Sequence, residues 1–274
     1  NNSLLSSYIL SYNYSLFLID KHSKPVNYNS NFIGFAPEFS DEMKTSYQIA
    51  IKDSLNADVA YLRLLPQPFA TDLAKSYSRL FKGEAFVNEN ASKQLFSNNA
   101  KEHKIIHIGT HAESDNISPE LSRLIFAKNK DEEDNSLYAF EIYNQNLSAN
   151  LAILTACETG KPTFQAGEGM ISLAHAFNYA GSESILTSLW NIDEQSSAEI
   201  IKYFYNFLAN GLAKDDALKQ AKIKYLNTAK GRTLAPQYWA GLVLIGDTSP
   251  IEISKSAPLN IIISSILLVI ASVI

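Results

Sequence analysis

The sequence predicts an α/β sandwich built on a mainly parallel sheet flanked by helices. Three observations predict it. Short apolar runs, such as Lys104–His111 and Leu151–Cys157, end in small or polar residues, the pattern of buried strands running into turns. Segments with apolar residues at helical spacing alternate with these runs, as in a parallel sheet covered by helices. The chain has 274 residues, 46% hydrophobic and 19% charged, enough for one large domain or two small ones with a sizeable core.

Taken in order, Tyr8–Asp20 clusters Tyr12, Tyr14, Leu16, Phe17, Leu18 and Ile19 ahead of a polar, proline-bearing stretch, which predicts a strand and a turn. Asn31–Pro37 reads as a short buried strand stopped by proline. Glu38–Asp58 reads as a loop with a short helix near Lys44–Ile51. Phe69, Leu73, Tyr77 and Leu80 place a helix over Pro66–Phe81, closed at Gly83. A strand at Glu84–Val87, a helix at Ser92–Asn99, the strand Lys104–His111 and a short strand at Leu124–Ala127 follow. The charged run Lys128–Asn135 reads as a solvated loop. Leu137–Ile142 leads into the strand Leu151–Cys157, and a helix over Met170–Tyr179 closes at Gly181. Ser184–Trp190 is a strand, Asp193–Ala209 a helix with an Asp start and a Gly211 stop, Asp215–Thr228 a further helix and Trp239–Gly246 a last buried strand. There is no internal repeat.

A net charge of −5 without a basic block argues against a nucleic-acid partner. One cysteine cannot close an internal disulfide, so nothing indicates an oxidising compartment. The start lacks a signal peptide's basic and apolar regions, and the chain looks like a slice of a longer polypeptide. Residues 1–250 form one domain in this reading and 251–274 a linker leading into a membrane helix. Leu259–Ile274 holds sixteen residues without a charge, just short of the ~18 that a spanning helix needs. The expectation is a cytoplasmic domain anchored to a membrane by this end, with Lys255 on its cytoplasmic side; a terminal core helix is the alternative.

Two of the predicted strands end on reactive side chains, His111 and Cys157. A thiolate is the competent nucleophile, and a neighbouring imidazole can take the thiol proton and return it to a leaving group. Adjacent parallel strands would bring these ends together. A Cys after an Ala at a strand end, with His about 50 residues upstream, is the spacing known from caspases. A lone cysteine is more often a small buried core residue; the pair of similar strand ends favours chemistry. His107, four residues before His111, would lie ~13 Å away along a strand and reads as a packed, hydrogen-bonded core histidine. A zinc site fails, because a His-xxx-His pair converges on a metal only in a helix and the HExxH glutamate is absent. His175 reads as a helix-packing residue, while His22 and His103 have no partner in sequence. No metal and no cofactor is expected.

The segments His-Ile-Gly-Thr-His111, Leu-Thr-Ala-Cys157-Glu-Thr-Gly160, Gly167-Glu-Gly169, Tyr179-Ala-Gly181, Ser188-Leu-Trp190-Asn-Ile-Asp193, Phe204-Tyr205 and Tyr238-Trp239-Ala together resemble the CHAT domain over about Tyr8–Asp247. That resemblance implies a caspase-like cysteine peptidase fold, related to caspases, separases and gingipains and often placed after tetratricopeptide repeats. It implies endopeptidase activity on a protein or peptide substrate, with His111 and Cys157 as the catalytic pair and an upstream repeat domain in the full-length chain. The backbone N–H groups of Ala112 and Cys157 would then form the oxyanion hole. Here the sequence departs from the family, which has glycine after the histidine. Ala112 keeps the N–H but not the freedom to take a positive φ, so a catalytically silent scaffold is the alternative.

Gly160 and Gly167–Gly169 would border the substrate groove or serve as ordinary turn glycines. Asp193 and Glu194 follow a strand and belong at the sheet's carboxyl edge. They would form an acidic pocket for a substrate Arg or Lys, as in relatives with basic specificity, or Asp193 would simply cap the next helix.

Overall fold

The computed structural model describes residues 4–14, 26–51, 58–115, 117–128, 134–155, 157–158 and 168–253, with 157–158 and 168–172 described by backbone alone. The chain begins with a single turn, α1 (Leu4–Ser7), followed by β1 (Ser30–Ala36), α2 (Asp41–Ala50), α3 (Val59–Leu62), α4 (Pro68–Phe81) and β2 (Glu84–Val87). Then come α5 (Lys93–Asn99), β3 (His103–Ile108), β4 (His111–Glu113), β5 (Arg123–Ile125), β6 (Ser136–Tyr138) and α6 (Ala139–Ile142). The remaining elements are β7 (Leu151–Leu154), β8 (Cys157–Glu158), α7 (Glu168–Tyr179), β9 (Ser184–Ser188), α8 (Glu194–Ala209), α9 (Lys214–Thr228) and β10 (Leu242–Gly246).

The predicted α/β sandwich is what forms. Six strands lie in the order β10-β9-β7-β3-β1-β2, and every neighbouring pair is parallel except β10 with β9. A parallel sheet needs helices on both faces, so its strands are apolar on both sides. Side chains therefore alternate between two cores. Ile33, Phe35, Ile106, Ile108, Ala152 and Leu154 pack toward α5, α6 and α7. Phe32, Ile105, Leu151, Ile153 and Leu186 pack toward α4, α8 and α9.

The helix ends follow local chemistry. Ser40 and Ser92 cap α2 and α5 by accepting from Met43 N and Leu95 N. Pro68 opens α4 at a position where a missing N–H costs nothing. Lys82, not Gly83, takes the left-handed turn that ends it, at φ 55°.

Four sequence expectations change. The runs Lys104–His111 and Leu151–Cys157 are not single strands. Each leaves the central sheet after Ile108 or Leu154 and contributes to a second sheet of order β6-β5-β4-β8. Leu137–Ile142 splits into the end of β6 and α6, where the Glu141 carboxylate accepts from Tyr138 N–H at 3.0 Å. Within Tyr8–Asp20 the described part holds only a bridge from Tyr12 to Ile245; residues 15–25 lie outside the described residues. The transmembrane expectation is corrected: among the described residues no helix is long and apolar enough to cross a membrane, and Leu259–Ile274 itself lies outside them.

Candidate active site

The site forms where two chains leave the central sheet side by side. β3 and β7 end with Ile108 opposite Leu154. Gly109 N–H then donates to the Phe35 carbonyl at 2.9 Å, and Thr155 N–H to the Ile108 carbonyl at 3.0 Å. Three residues on, the two chains pair again, with His111 opposite Cys157 and Ala112 opposite Glu158 in parallel strands β4 and β8. Partners are 46 residues apart on both sides of the break. Neighbouring strands lie ~4.8 Å apart, so the backbones of His111 and Cys157 are immediate neighbours.

Gly109 permits this double exit. A Cβ there would sit 2.7 Å from Ala70 Cβ in α4 and 3.2 Å from Thr155 Oγ1, so a side chain would push the helix away from both chains. Thr110 is buried at the same step and its hydroxyl donates to the Ile125 carbonyl, tying β4 to β5.

His111 is 3% exposed and both its ring nitrogens are engaged. Nε2 lies 2.7 Å from the Leu65 carbonyl oxygen, which can only accept, so Nε2 carries the hydrogen. Nδ1 lies 3.2 Å from the Gln67 amide nitrogen. Burial pushes the imidazolium below its usual range; the Leu65 carbonyl and Glu113 oppose this, while the Lys44 charge adds to it. The ring is therefore neutral at neutral pH, the state a general base requires.

Leu65 and Gln67 are held by their sequence, Leu65-Pro66-Gln67-Pro68. Each precedes a proline, which restricts its backbone. Gln67 sits at φ −125°, ψ 63° as the N-cap of α4, and its N–H donates to the Glu38 carbonyl at 2.7 Å. Phe39, just after Glu38, takes φ 56°, an uncommon conformation for a bulky residue. It places its ring 5.1 Å from that of His111.

Asp193 and Glu194 are at the carboxyl edge, as expected, and both bind backbone. Asp193 caps α8, accepting from Ser196 N at 2.9 Å and Ser196 Oγ at 2.8 Å. Glu194 reaches across to α4 and accepts from Phe69 N at 3.0 Å and Ala70 N at 3.2 Å through Oε1. A carboxylate at a helix N-terminus satisfies orphan donors and meets the positive end of the dipole. Burial raises the Glu194 pKa, as do Asp193 and Glu38, against the two N–H bonds. Glu194 borders a small cleft with Thr155, Leu73 and Ser197.

Ala112 is buried in β4, paired to Leu124 and to Glu158, and does not take a positive φ. The strand geometry at this position makes no demand that only glycine could meet.

His107 is fully buried, its Nδ1 2.8 Å from the Tyr205 hydroxyl and its ring stacked on Phe32. His103 lies at the opposite end of β3, and His175 packs against Tyr14. Gly160, Gly167 and His22 are outside the described residues, and Gly169 is described only as backbone at the start of α7. Leu65, Gln67 and Phe39 complete the His111 surroundings without having been singled out in the sequence. The one signal for them is the Pro-Gln-Pro spacing ahead of a helix.

A model of the CHAT domain family matches residues 4–247. Tetratricopeptide repeat protein 28 of Homo sapiens is 25% identical over 234 residues, covering 72% of this chain and 9% of that protein. The Mus musculus protein of the same name is 24% identical with the same coverage. The chain thus spans about a tenth of the length of these relatives. Among solved structures, the Arg-specific cysteine proteinase gingipain R aligns at a TM-score of 0.43 with 9% identity, over 80% of this chain and 46% of its own. A complex of Porphyromonas gingivalis RgpB pro- and mature domains aligns at 0.44 with 9% identity, over 80% and 47%.

Proposed function

The chain belongs to the CHAT domain family, and from that premise we propose that it is a cysteine endopeptidase using His111 and Cys157. The observation that carries the reading is the register that sets these two residues opposite each other on neighbouring strands. His111 would take the thiol proton, the thiolate would attack the scissile carbonyl, and the imidazolium would return the proton to the leaving amine. Water would then release the acyl group from sulfur. The Leu65 carbonyl supports this by fixing the tautomer, and it favours the imidazolium formed on proton transfer. The backbone N–H groups of Ala112 and Cys157 are the proposed oxyanion donors.

For specificity, Asp193 and Glu194 are the proposed acids. Both carboxylates accept hydrogen bonds at helix starts; Glu194 is the stronger candidate to pair with a substrate Arg or Lys because it borders the cleft that Thr155 lines. The relatives named for tetratricopeptide repeats support an upstream repeat domain as the regulatory partner.

The test is labelling with a thiol-reactive peptide electrophile. Cys157 is the sole cysteine of the chain, so all thiol labelling reports on it. Reaction far faster than that of free cysteine, lost on unfolding, supports the peptidase. Reaction no faster than free cysteine leaves the silent scaffold as the function.

A further inference from the structure

We propose that Gln67 controls proton transfer at His111: its amide caps the one basic nitrogen of the ring and must move off before that nitrogen can accept a proton. The proposal rests on the His111–Cys157 reading above.

A neutral imidazole has one N–H and one in-plane lone pair. The Leu65 carbonyl, 2.7 Å from Nε2, takes the N–H. The lone pair is therefore on Nδ1, and there the Gln67 amide N–H₂ donates across 3.2 Å. The opposite amide orientation would set a carbonyl against a bare lone pair. While Gln67 holds this position, Nδ1 has no capacity left for a thiol proton.

A second observation marks the contact as poised to change. Gln67 is 4% exposed, and its Oε1 is buried with no hydrogen-bond partner among the described residues. An unpaired buried acceptor is costly, so part of what the Nδ1 contact contributes is offset at the other end of the same amide. The backbone cannot easily follow any movement. It is pinned by Pro66, Pro68 and the Glu38 carbonyl. Release of Nδ1 is then a side-chain rotation, and a substrate or regulatory element offering a donor to Oε1 would favour it. Gln67 is thus a positioning residue that acts through His111.

The experiment compares the full chain with Gln67→Met, Gln67→Ala and His111→Ala. It reads the rate of Cys157 alkylation by iodoacetamide at neutral pH, and the imidazole ¹⁵N resonances of His111. The methionine variant keeps the volume and removes the donor. Loss of one hydrogen bond to the base corresponds to about a 5- to 10-fold faster alkylation in both Gln67 variants. The Nδ1 resonance should move toward that of an unbonded lone pair, with the Nε2–H signal unchanged. A purely structural role would leave the Nδ1 resonance and the rate where they are, and would overturn the proposal. Slower alkylation would also overturn it, assigning Gln67 as a support for the imidazolium instead. Should both variants fail to fold, the wild-type Nδ1 resonance decides alone, since an unbonded position contradicts capping. If adding His111→Ala to the Gln67→Met variant leaves its alkylation rate unchanged, the dyad itself fails and takes the capping with it. If His111→Ala slows alkylation and the Gln67 variants do not speed it, only the capping is lost.

Discussion

His111 and Cys157 stand opposite each other in the parallel pair of β4 and β8, at the same 46-residue offset that relates Ile108 to Leu154 in the central sheet. Two chains leave one sheet together and enter another without slipping in register. Because one residue of slip would flip every side chain to the other face, this unchanged offset is what makes the two residues neighbours.

Cys157→Ala and His111→Ala should each abolish peptide cleavage in a protein that still unfolds cooperatively, because a thiol without its base is a poor nucleophile at neutral pH. Circular dichroism melts alongside turnover separate chemistry from folding. A well-folded His107→Gln that loses activity, with His111→Ala retaining it, would move the base to His107.

His107 should make the fold acid-sensitive. Burial holds its pKa at about 3 against the usual 6.5. The unfolded chain takes up a proton below pH ~6.5, whereas the folded one does so only near 3, so stability present above 6.5 is lost progressively as pH falls. By pH 4.5 this group alone removes about 2–3 kcal/mol. Urea midpoints at pH 7.5 and 4.5 should differ more for wild type than for His107→Gln, which has nothing to titrate there. Equal pH dependence in the two proteins would contradict the assignment.

Gly109→Ala should destabilise the domain by about 1–3 kcal/mol and speed Cys157 alkylation as well, by drawing Gln67 off the His111 ring. The added methyl would meet Ala70 Cβ at 2.7 Å, and α4 carries Gln67 at its N-cap. Thermal melts and the alkylation rate test this together. A shifted melt with unchanged alkylation would show that the double exit tolerates displacement of the helix.

The two acids should separate by function. In a positional peptide library the wild type should prefer Arg or Lys before the cut, and Glu194→Gln should erase that preference with a large loss of turnover, on the order of the 2–5 kcal/mol seen when one partner of a desolvated charge pair is removed. Asp193→Asn should cost about 1 kcal/mol or less of stability, as a cap exchanged for a cap, and leave the preference intact. An apolar preference in the wild type would end the acidic-pocket proposal.

The sequence by itself determined the elements and the chemistry on offer. Apolar runs, helical spacing and the Asp193 cap marked where strands and helices form. Glu84–Val87 has the bounds expected of it, and α4, α8 and α9 differ from theirs by one or two residues at the start, because hydrophobic periodicity and caps are local properties. Cys157 and His111 were legible as a pair because both end similar apolar runs. The tertiary structure alone decided that these runs break at Ile108 and Leu154 and pair again in a second sheet. That break depends on a close approach between Gly109 and Ala70, 39 residues apart in the chain. Tertiary structure also decided which atoms meet the imidazole. The Leu65 carbonyl and the Gln67 amide reach it across 46 and 44 residues, and a backbone carbonyl leaves no mark in a sequence, since every residue has one. Glu194 illustrates the same limit: its place beside an N-cap was readable, but its bonds go to another helix, 125 and 124 residues away. Local patterns fix what a segment can become; contacts between distant segments arise only when packing the two cores brings them together.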